Sequence, residues 1–443
     1  MNKFVNQGAL SLVAKVKPDQ VQNLRDLLEK MVPPHDDVES NDIVPFAEIT
    51  TIHFARFVVV DKSLSENSTL NENVIFRKVD PILIFSTNYD GPQSAHIEQM
   101  VDVASEGLDK IYSHCFDYPE QSKRNRSSRI SYLKRLRKPY GAFHCGTQGL
   151  SVGRIRMEAR LRDEIEKYID EKNINRNWTN AEDPTKIRED IRRHFGQTAL
   201  SWALTPPDEP PLSWKLFRGN GWKSLIWLII KFLFVLPFVI VPVLPIILRY
   251  KEKRDKIYPK IRYDERAKTL AAREDQVVQN QMTILVDMKP GMFRTFALNF
   301  VFSAVEVVVR YYFTKGKLGS IPTIHFARWV VVDGGKALMF MSNYGGSWES
   351  YLGDFVDKAS IGLTAIWSNS VLYPRTKWLV LEGATDEERF KCWARAQQIP
   401  TDVWYTAYKT ITVKNIIMNK EIRKGLAASN LSKEQALEWL KLL

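Results

Sequence analysis

The sequence has few of the short motifs that identify a common chemistry. It contains no Walker loop for nucleotide phosphates, no Gly-x-Gly-x-x-Gly dinucleotide fingerprint and no His-Glu-x-x-His metal motif. Only three cysteines occur in 443 residues, and Cys115, Cys145 and Cys392 lie far apart. A scattered, odd number of cysteines argues against a disulfide framework or a zinc-binding motif, and it is typical of a reducing compartment.

Acidic residues are too few to balance the basic ones. The chain has 63 Lys and Arg against 51 Asp and Glu, which gives a net charge of +12 at pH 7. This excess predicts an acidic partner, either nucleic acid or anionic lipid. Because the sequence has no helix-turn-helix and no aromatic RNA-binding signature, we expect no nucleic-acid partner. The N-terminus alternates like a strand and lacks the apolar core and cleavage site of a signal peptide.

An internal repeat is the strongest positive feature of the sequence. The segment TIHFARFVVVD at 51–61 recurs as TIHFARWVVVD at 323–333. Residues 88–119 align without a gap to residues 343–374. Ordered blocks of this kind predict two copies of one folding unit. The first copy alone carries a polar insertion at 63–79, which we expect to form a surface loop.

Each copy predicts the order strand, helix, strand, strand, helix, strand, with one extra helix before the last strand. Alternating Val, Ile and Phe residues indicate the strands, and apolar residues at helical spacing indicate the helices. This order is the split βαβ unit of ferredoxin-like domains, an α+β fold. The predicted division is 1–175 for the first ferredoxin-like repeat, 176–220 for a linker, 221–250 for an apolar segment, 251–278 for a basic linker helix, 279–428 for the second repeat and 429–443 for a C-terminal helix.

The apolar segment between the copies predicts contact with a membrane. From Ser224 to Leu248 the segment carries one charge, Lys231. This stretch is long enough for a single transmembrane helix. Three prolines argue against a straight helix, and basic residues on both flanks place both ends on the cytoplasmic side. Two copies that pack together must also lie on one side of the bilayer. We therefore predict a monotopic or re-entrant insertion at the cytoplasmic membrane face; a single span and a buried hairpin are the alternatives.

Two further features point toward lipid. The predicted helix at 292–313 has a second apolar stripe, including Leu298 and Phe302, that its counterpart in the first copy lacks. An extra apolar face requires lipid, a partner or the linker. The first copy also has a run of basic residues at 123–138, which is either a solvated face or an attraction to anionic headgroups.

The repeated strand supplies the candidate chemistry. His53 and His325 occupy equivalent positions, as do Arg56 and Arg328. Strand alternation places histidine and arginine on opposite faces, so one of the two lines the space between the sheets, and the sequence leaves open which. A histidine in that space is a haem ligand, a general base or a hydrogen-bonded core residue.

The arginines have a structural alternative. If they lie under the helices instead, Asp102 and Asp357 are the expected partners, and such buried pairs stabilise the fold without chemistry. Positions that differ between the copies are therefore separate candidates, because active sites in duplicated barrels become asymmetric. His144 aligns with Tyr405, and Phe57 aligns with Trp329.

This doubled order resembles the dimeric α+β barrel superfamily, which includes the dye-decolourising peroxidases, haem enzymes built from two ferredoxin-like halves. Their Gly-x-x-Asp-Gly motif has a catalytic Asp, and this chain carries Val331-Val332-Asp333-Gly334 without the leading glycine. The resemblance implies haem bound by His325, since the proximal histidine of those enzymes belongs to the C-terminal half. The residues expected at the site are Arg328, Arg56 and Asp333 for catalysis and His325, His53, Trp329, His144 and Tyr405 around the cofactor.

The expected function is therefore a membrane-associated, peroxidase-like oxidoreductase that takes a lipophilic substrate directly from the bilayer. The alternative is a non-catalytic membrane scaffold or lipid-binding module, in which the barrel histidines are core residues and no cofactor binds.

Overall fold

A computed structural model describes most of the chain, and its elements alternate between helix and strand. The described residues are 4–32, 38–61, 80–174, 176, 178, 183–208, 210, 225–227, 229–230, 244–257, 265–272, 274–275, 277–311 and 321–443. The strands are β1 Gln7–Lys15, β2 Ile52–Val60, β3 Ile82–Asp90, β4 Tyr140–Cys145, β5 Gln279–Asp287, β6 Ile324–Val332, β7 Ala337–Gly345, β8 Thr376–Lys377, β9 Leu381–Glu382 and β10 Val403–Thr406. The α-helices are α1 Val21–Glu29, α2 Gln93–Tyr112, α3 Arg126–Leu136, α4 Val152–Glu171, α5 Pro184–Gly196, α6 Leu244–Arg254, α7 Glu265–Ala272, α8 Met292–Tyr311, α9 Trp348–Trp367, α10 Glu387–Gln397, α11 Val413–Ala427 and α12 Lys433–Leu440.

The predicted α+β class is confirmed, and corresponding elements of the two halves have equal lengths. The first three strands of each half have nine residues each. Helices α2 and α9 both have 20 residues, and both are interrupted at an alanine with non-helical dihedrals, Ala104 in one and Ala359 in the other. These two alanines align in the sequence. The duplicated blocks thus carry the same local irregularity as well as the same elements.

The last strand of each half pairs with the other half. One sheet has the order β1-β3-β2-β10, and the other has the order β4-β6-β7-β5. The chain just before β4 touches its own half, where Lys138 N–H donates to Ser11 O at 2.9 Å, and Ile399 N–H donates to Thr283 O at 2.8 Å before β10. Isolated backbone bridges, Leu12 with Arg137 and Ile284 with Gln398, therefore connect the two sheets at both edges.

Three apolar cores pack against the two sheets, two on their outer faces and one between them. Helices cover the outer face of each sheet in two large cores, and a smaller core lies between the sheets. Strand alternation alone explains the inner core, since every second residue of β2, β3, β6 and β7 points inward. The inner core residues are Val58, Val60, Ile84, Val330, Val332, Ala337, Met339, Met341 and Ile399.

A fourth core joins the two halves through their C-terminal helices. It packs α4 and α5 against α11 and α12. Within it Arg423 donates to Glu158 Oε1 at 3.0 Å, and both side chains are buried. The range predicted as a linker, 176–220, therefore contains a helix, α5, that is packed into this core.

Two residues of the second apolar stripe of α8, Leu298 and Phe302, are covered by protein of the first half and not by lipid. Leu298 and Phe302 are 2% and 4% exposed, and α8 packs against β4 of the first half. A methyl group added at Gly141 of β4 would lie 2.5 Å from the Phe302 ring. The exchange of β4 between halves creates this contact, which the sequence of either copy alone does not reveal.

The basic run of the first half is partly neutralised by α2. Arg126 donates to Asp102 at 2.6 Å, and Arg129 bridges to Asp109 at 2.7 Å. Asp102 and Asp109 lie seven residues apart, on the same face of α2. The two ion pairs therefore hold α3 against that face.

Most of the predicted membrane segment, 221–250, and the whole insertion at 63–79 lie outside the described residues. Those described at the start of the segment, Ile226, Trp227, Ile229 and Ile230, are exposed. Among the described residues, no helix combines the length and the apolar composition needed to cross a bilayer.

Candidate functional site

A β-bulge lies at the repeated histidine of each half. On β2 the register skips from Ile52 to Phe54, and on β6 it skips from Ile324 to Phe326. A bulge adds one residue to one strand and re-aims the side chains beside it. The prediction that histidine and arginine point to opposite faces assumed regular strands, and it is wrong at these bulges.

Both repeated histidines reach across to the opposite sheet. The His53 ring lies 5.2 Å from the Phe326 ring, and the His325 ring lies 5.2 Å from the Phe54 ring. The two rings are also brought together by one tyrosine, Tyr408, whose ring lies 5.8 Å from each of them. We name His53, Asp90, His325 and Tyr408 the histidine cluster.

Arg56 crosses between the sheets as well and is fully engaged there. Its two terminal nitrogens donate to five oxygens of β5 and β7, including Thr283 Oγ1 at 2.9 Å and Asn343 Oδ1 at 2.6 Å. The predicted partner Asp102 binds Arg126 instead, and Asp357 is exposed. The prediction of arginine–carboxylate pairs under the helices was therefore wrong, because the arginine side of the strand faces the opposite sheet.

Arg328 occupies the equivalent position with fewer contacts. It donates to Thr87 O at 2.8 Å and to Ser86 Oγ, while its Nε has no partner among the described residues. No carboxylate of the described residues pairs with either arginine. Burial lowers the pKa of both guanidiniums to about 9, and their mutual repulsion adds to the shift at Arg56. Both remain charged at neutral pH, so the space between the sheets is positive.

His53 is held by two partners in a defined tautomer. Its Nε2 lies 2.9 Å from Asp90 Oδ1, and its Nδ1 lies 2.9 Å from the Tyr408 hydroxyl. An ionised carboxylate only accepts, so Nε2 carries the hydrogen and Nδ1 accepts from Tyr408. The other oxygen of Asp90 accepts from Val152 N–H at 2.8 Å. Complete burial raises the pKa of Tyr408 well above its usual value. The group thus forms a carboxylate–imidazole–phenol relay.

His325 has the same position and none of these partners. Gly345 stands where the first half has Asp90, and Thr147 stands where the second half has Tyr408. Neither ring nitrogen has a hydrogen-bond partner among the described residues, although the side chain is fully buried. Burial lowers the pKa of His325 to about 3, and repulsion from His53 contributes. The imidazole is therefore neutral and retains a free lone pair.

His144, Trp329 and Tyr405 lie outside the histidine cluster. Phe143 stacks on Phe326 between the sheets, so the next residue, His144, points to the helix side of β4. Its nitrogens also lack partners among the described residues, and burial lowers its pKa to about 3. Trp329 packs on Phe340 in the helix-side core, and Tyr405 stacks on Phe46 at 5.1 Å. None of the three shares a ring contact with His325.

Asp333 also lies away from the cluster. It is exposed in the turn after β6, with φ of 50°, eight residues beyond His325. At about 3.3 Å per strand residue the separation is roughly 26 Å. The expected approach of Asp333 to His325 is not seen, because the strand is extended and places the two residues at its opposite ends.

Asp90 and Tyr408 are site residues that the sequence reading missed. The available signal was asymmetry between the copies, since a glycine and a threonine replace them at the aligned positions. A Gly-x-Ser-x-Gly match at 149–153 was also missed. Ser151 has an extended backbone (φ −68°, ψ 160°), and its oxygen accepts from Arg154 N–H at 3.3 Å. It caps α4, and its conformation differs from the strained turn of a nucleophile elbow.

A haem fits this arrangement only in part. The neutral, unpartnered nitrogens of His325 suit an axial ligand. Among the described residues, however, no cluster of three His, Cys, Asp or Glu side chains could hold a metal ion by itself. The ring is also enclosed by Phe54 and Tyr408, and Asp333 is remote.

Comparisons of the chain with protein-family models, with curated proteins and with solved structures find no match.

Proposed function

We propose that this chain is a membrane-associated oxidoreductase of peroxidase-like chemistry that acts on a lipophilic substrate, with the histidine cluster as its reaction centre. The fold we propose is an intrachain dimeric α+β barrel of two ferredoxin-like repeats with exchanged last strands. The equal strand lengths, the matching helix interruptions and the exchange of the last strands support this assignment.

The asymmetry of the two histidines is the observation that carries the proposal. One half completes its imidazole with a carboxylate and a phenol, whereas the other leaves a buried imidazole without partners. A buried polar group left unsatisfied costs about 1–3 kcal/mol. A core residue with that cost and no role is readily replaced, so we assign His325 to ligand binding.

The relay on the other side supplies proton transfer. Tyr408 donates its hydroxyl hydrogen to His53 Nδ1, and Asp90 fixes the imidazole and would stabilise the positive charge that the ring gains when it takes up the phenol proton. When the phenol of Tyr408 gives up an electron, its proton can pass directly to His53 Nδ1 along the hydrogen bond, in which the two heavy atoms lie 2.9 Å apart. Tyr408 also contacts the His325 ring, so a group bound at His325 lies next to this proton acceptor.

Haem is the cofactor we propose for His325, and it would supply the one-electron oxidation when bound. The two buried arginines, 2% exposed each, keep the space between the sheets positive and favour the anionic propionates or a peroxide anion nearby. This cofactor requires Phe54 and Tyr408 to move away from the ring, because both are in contact with it.

The test is the visible spectrum of the full chain purified from haem-replete cells. We expect a Soret band that His325→Ala abolishes and that His53→Ala retains. His144→Ala is the matched control, since it removes another buried unpartnered imidazole outside the cluster. Colourless wild-type protein after haem reconstitution would refute haem, and equal loss in all three variants would indicate a general folding defect.

A non-catalytic membrane scaffold or lipid-binding module is the alternative. The five hydrogen bonds of Arg56 favour it, because a fully engaged guanidinium is a cross-link between sheets and has no capacity left for a substrate. Under this alternative, the purified chain binds vesicles and carries no chromophore, and Tyr408→Phe leaves its vesicle binding unchanged.

A further inference from the structure

An apolar hairpin of the second half holds strained backbone in an exposed position. Strands β8 and β9 enclose the turn Trp378-Leu379-Val380, and Trp378 and Leu381 are 42% and 46% exposed. Trp378, Leu379 and Glu382 have φ of 58°, 65° and 62°, in the left-handed region. Bulky residues occupy this region only when their surroundings impose it, and such strain is concentrated at functional sites.

A buried glutamate of α6 imposes that conformation. Glu252 is fully buried and accepts from Leu379 N–H at 2.8 Å, Trp378 N–H at 3.1 Å and Thr376 Oγ1 at 3.0 Å. Two of these donors are the backbone groups of the strained residues. The hairpin is therefore locked to α6, the helix that begins within the predicted membrane segment.

The same helix is fixed to the body of the second half. Asp255, three residues after Glu252, accepts from Lys289 Nζ at 2.7 Å and from Arg294 at 2.9 Å. Leu248 on this face is buried, whereas Ile246 and Tyr250 on the opposite face are 72% and 56% exposed. Buried Glu252 and partly buried Asp255, which directly follows the helix, thus set the rotation of α6. That rotation determines which side chains of α6 reach solvent.

Basic residues lie beside these exposed apolar ones. Lys251, Lys253 and Arg254 of α6 and Lys377 of the hairpin are exposed. Arg249 lies over the Trp378 ring at 5.6 Å, and Arg254 lies over the Tyr250 ring at 4.0 Å. Aromatic rings with adjacent cations are typical of the boundary between headgroups and acyl chains.

We propose that the hairpin at 376–382 and the outer face of α6 form one docking surface for a bilayer that contains anionic lipids. Charge complementarity and the continuity of α6 with the apolar segment before it favour a bilayer over a protein partner or a second copy. The inference rests on the proposed membrane association and assigns to it a second contact element, far along the chain from the apolar segment. The strained turn keeps the side chains of Trp378 and Leu381 exposed, where they can contact the bilayer.

The test is co-sedimentation of the full chain with vesicles of phosphatidylcholine and phosphatidylserine, compared with phosphatidylcholine alone. The variant W378E/L381E should bind the mixed vesicles at least tenfold more weakly than wild type. The matched control is Phe116→Glu, which alters a residue of similar exposure (47%) in the first half and should change binding less than twofold. Thermal unfolding of each variant reports whether it is folded.

A second measurement covers the case in which the double variant fails to fold. Leu381→Cys, labelled with an environment-sensitive fluorophore, should shift to shorter wavelength on addition of mixed vesicles, whereas a label on Phe116→Cys should not. If wild type does not bind vesicles at all, membrane association itself fails. If wild type binds and neither the hairpin variant nor the label responds, the apolar segment acts alone and the hairpin surface is refuted. If W378E/L381E loses self-association while its vesicle binding is unchanged, the bilayer-docking surface is also refuted. The surface would then be an interface with a second copy of the chain.

Discussion

The two halves of the molecule share an eleven-residue strand motif that differs at one position, Phe57 against Trp329, and they place different groups around its histidine. In the first half the imidazole has a carboxylate and a phenol at 2.9 Å. In the second half the corresponding groups are absent and the imidazole stays buried and neutral. The phenol that completes the first site comes from the second half. The repeated strands therefore match in length and in pairing, whereas the groups around their histidines differ.

The arginines give the largest expected difference between the halves. Arg56→Met removes five hydrogen bonds and leaves their acceptors buried, and we expect a loss of about 3–5 kcal/mol in the free energy of unfolding. Arg328→Met removes two and should cost about 1–2 kcal/mol. Urea denaturation of both variants measures the difference, and equal losses would contradict the asymmetric engagement of the two side chains.

The histidines should differ in sign as well as in size. His53→Phe leaves Asp90 and Tyr408 without their partner, and we expect a loss of about 2–3 kcal/mol. His325→Phe removes two unsatisfied nitrogens and should be neutral or stabilising by up to about 1 kcal/mol in the ligand-free protein. Thermal unfolding checks the pair. A large loss at His325→Phe would mean that the ring has polar contacts essential to the fold.

The final difference concerns the pH dependence of stability. The pKa of His325 is about 3 in the folded chain and near 6.5 when unfolded, so the unfolded state binds the extra proton between these values. Protonation of this histidine in the unfolded state therefore costs no stability above pH 6.5, and it lowers the free energy of unfolding progressively as pH falls toward 3. His325→Phe should reduce the slope of unfolding free energy between pH 6 and 4 by up to about 1.4 kcal/mol per pH unit. His144→Phe, at a residue with the same shift, should act similarly. An unchanged slope in His325→Phe would contradict the buried neutral state.

Much of the framework could be predicted from the sequence. The repeated strand and the aligned helices indicated the α+β class and the internal repeat, and α2 and α9 even share their interruption. These features depend on local periodicity, which one sequence displays directly. The functional reading of the membrane segment and of haem remains a prediction.

Other features depend on choices that local periodicity does not record. Alternation identifies β4 and β10 as strands but is silent on which neighbour they pair with, so the exchange could not be foreseen. The bulges before Phe54 and Phe326 move the histidines into the same space as the arginines. Asp90 and Tyr408 are distant in the sequence, and only the tertiary fold brings both to the same imidazole, His53.

The exchanged strands also determine when the protein can finish folding. The outer edge of β2 is completed by β10, and more than three hundred residues separate Val60 from Val403. At a synthesis rate of about 5–20 residues per second, this edge waits roughly 20–70 s on the ribosome for its partner. During that interval a strand of Val, Phe and Ile residues presents unpaired backbone groups, the usual template for misassembly. We therefore expect the first half of the nascent chain to need protection from misassembly until β10 has been made.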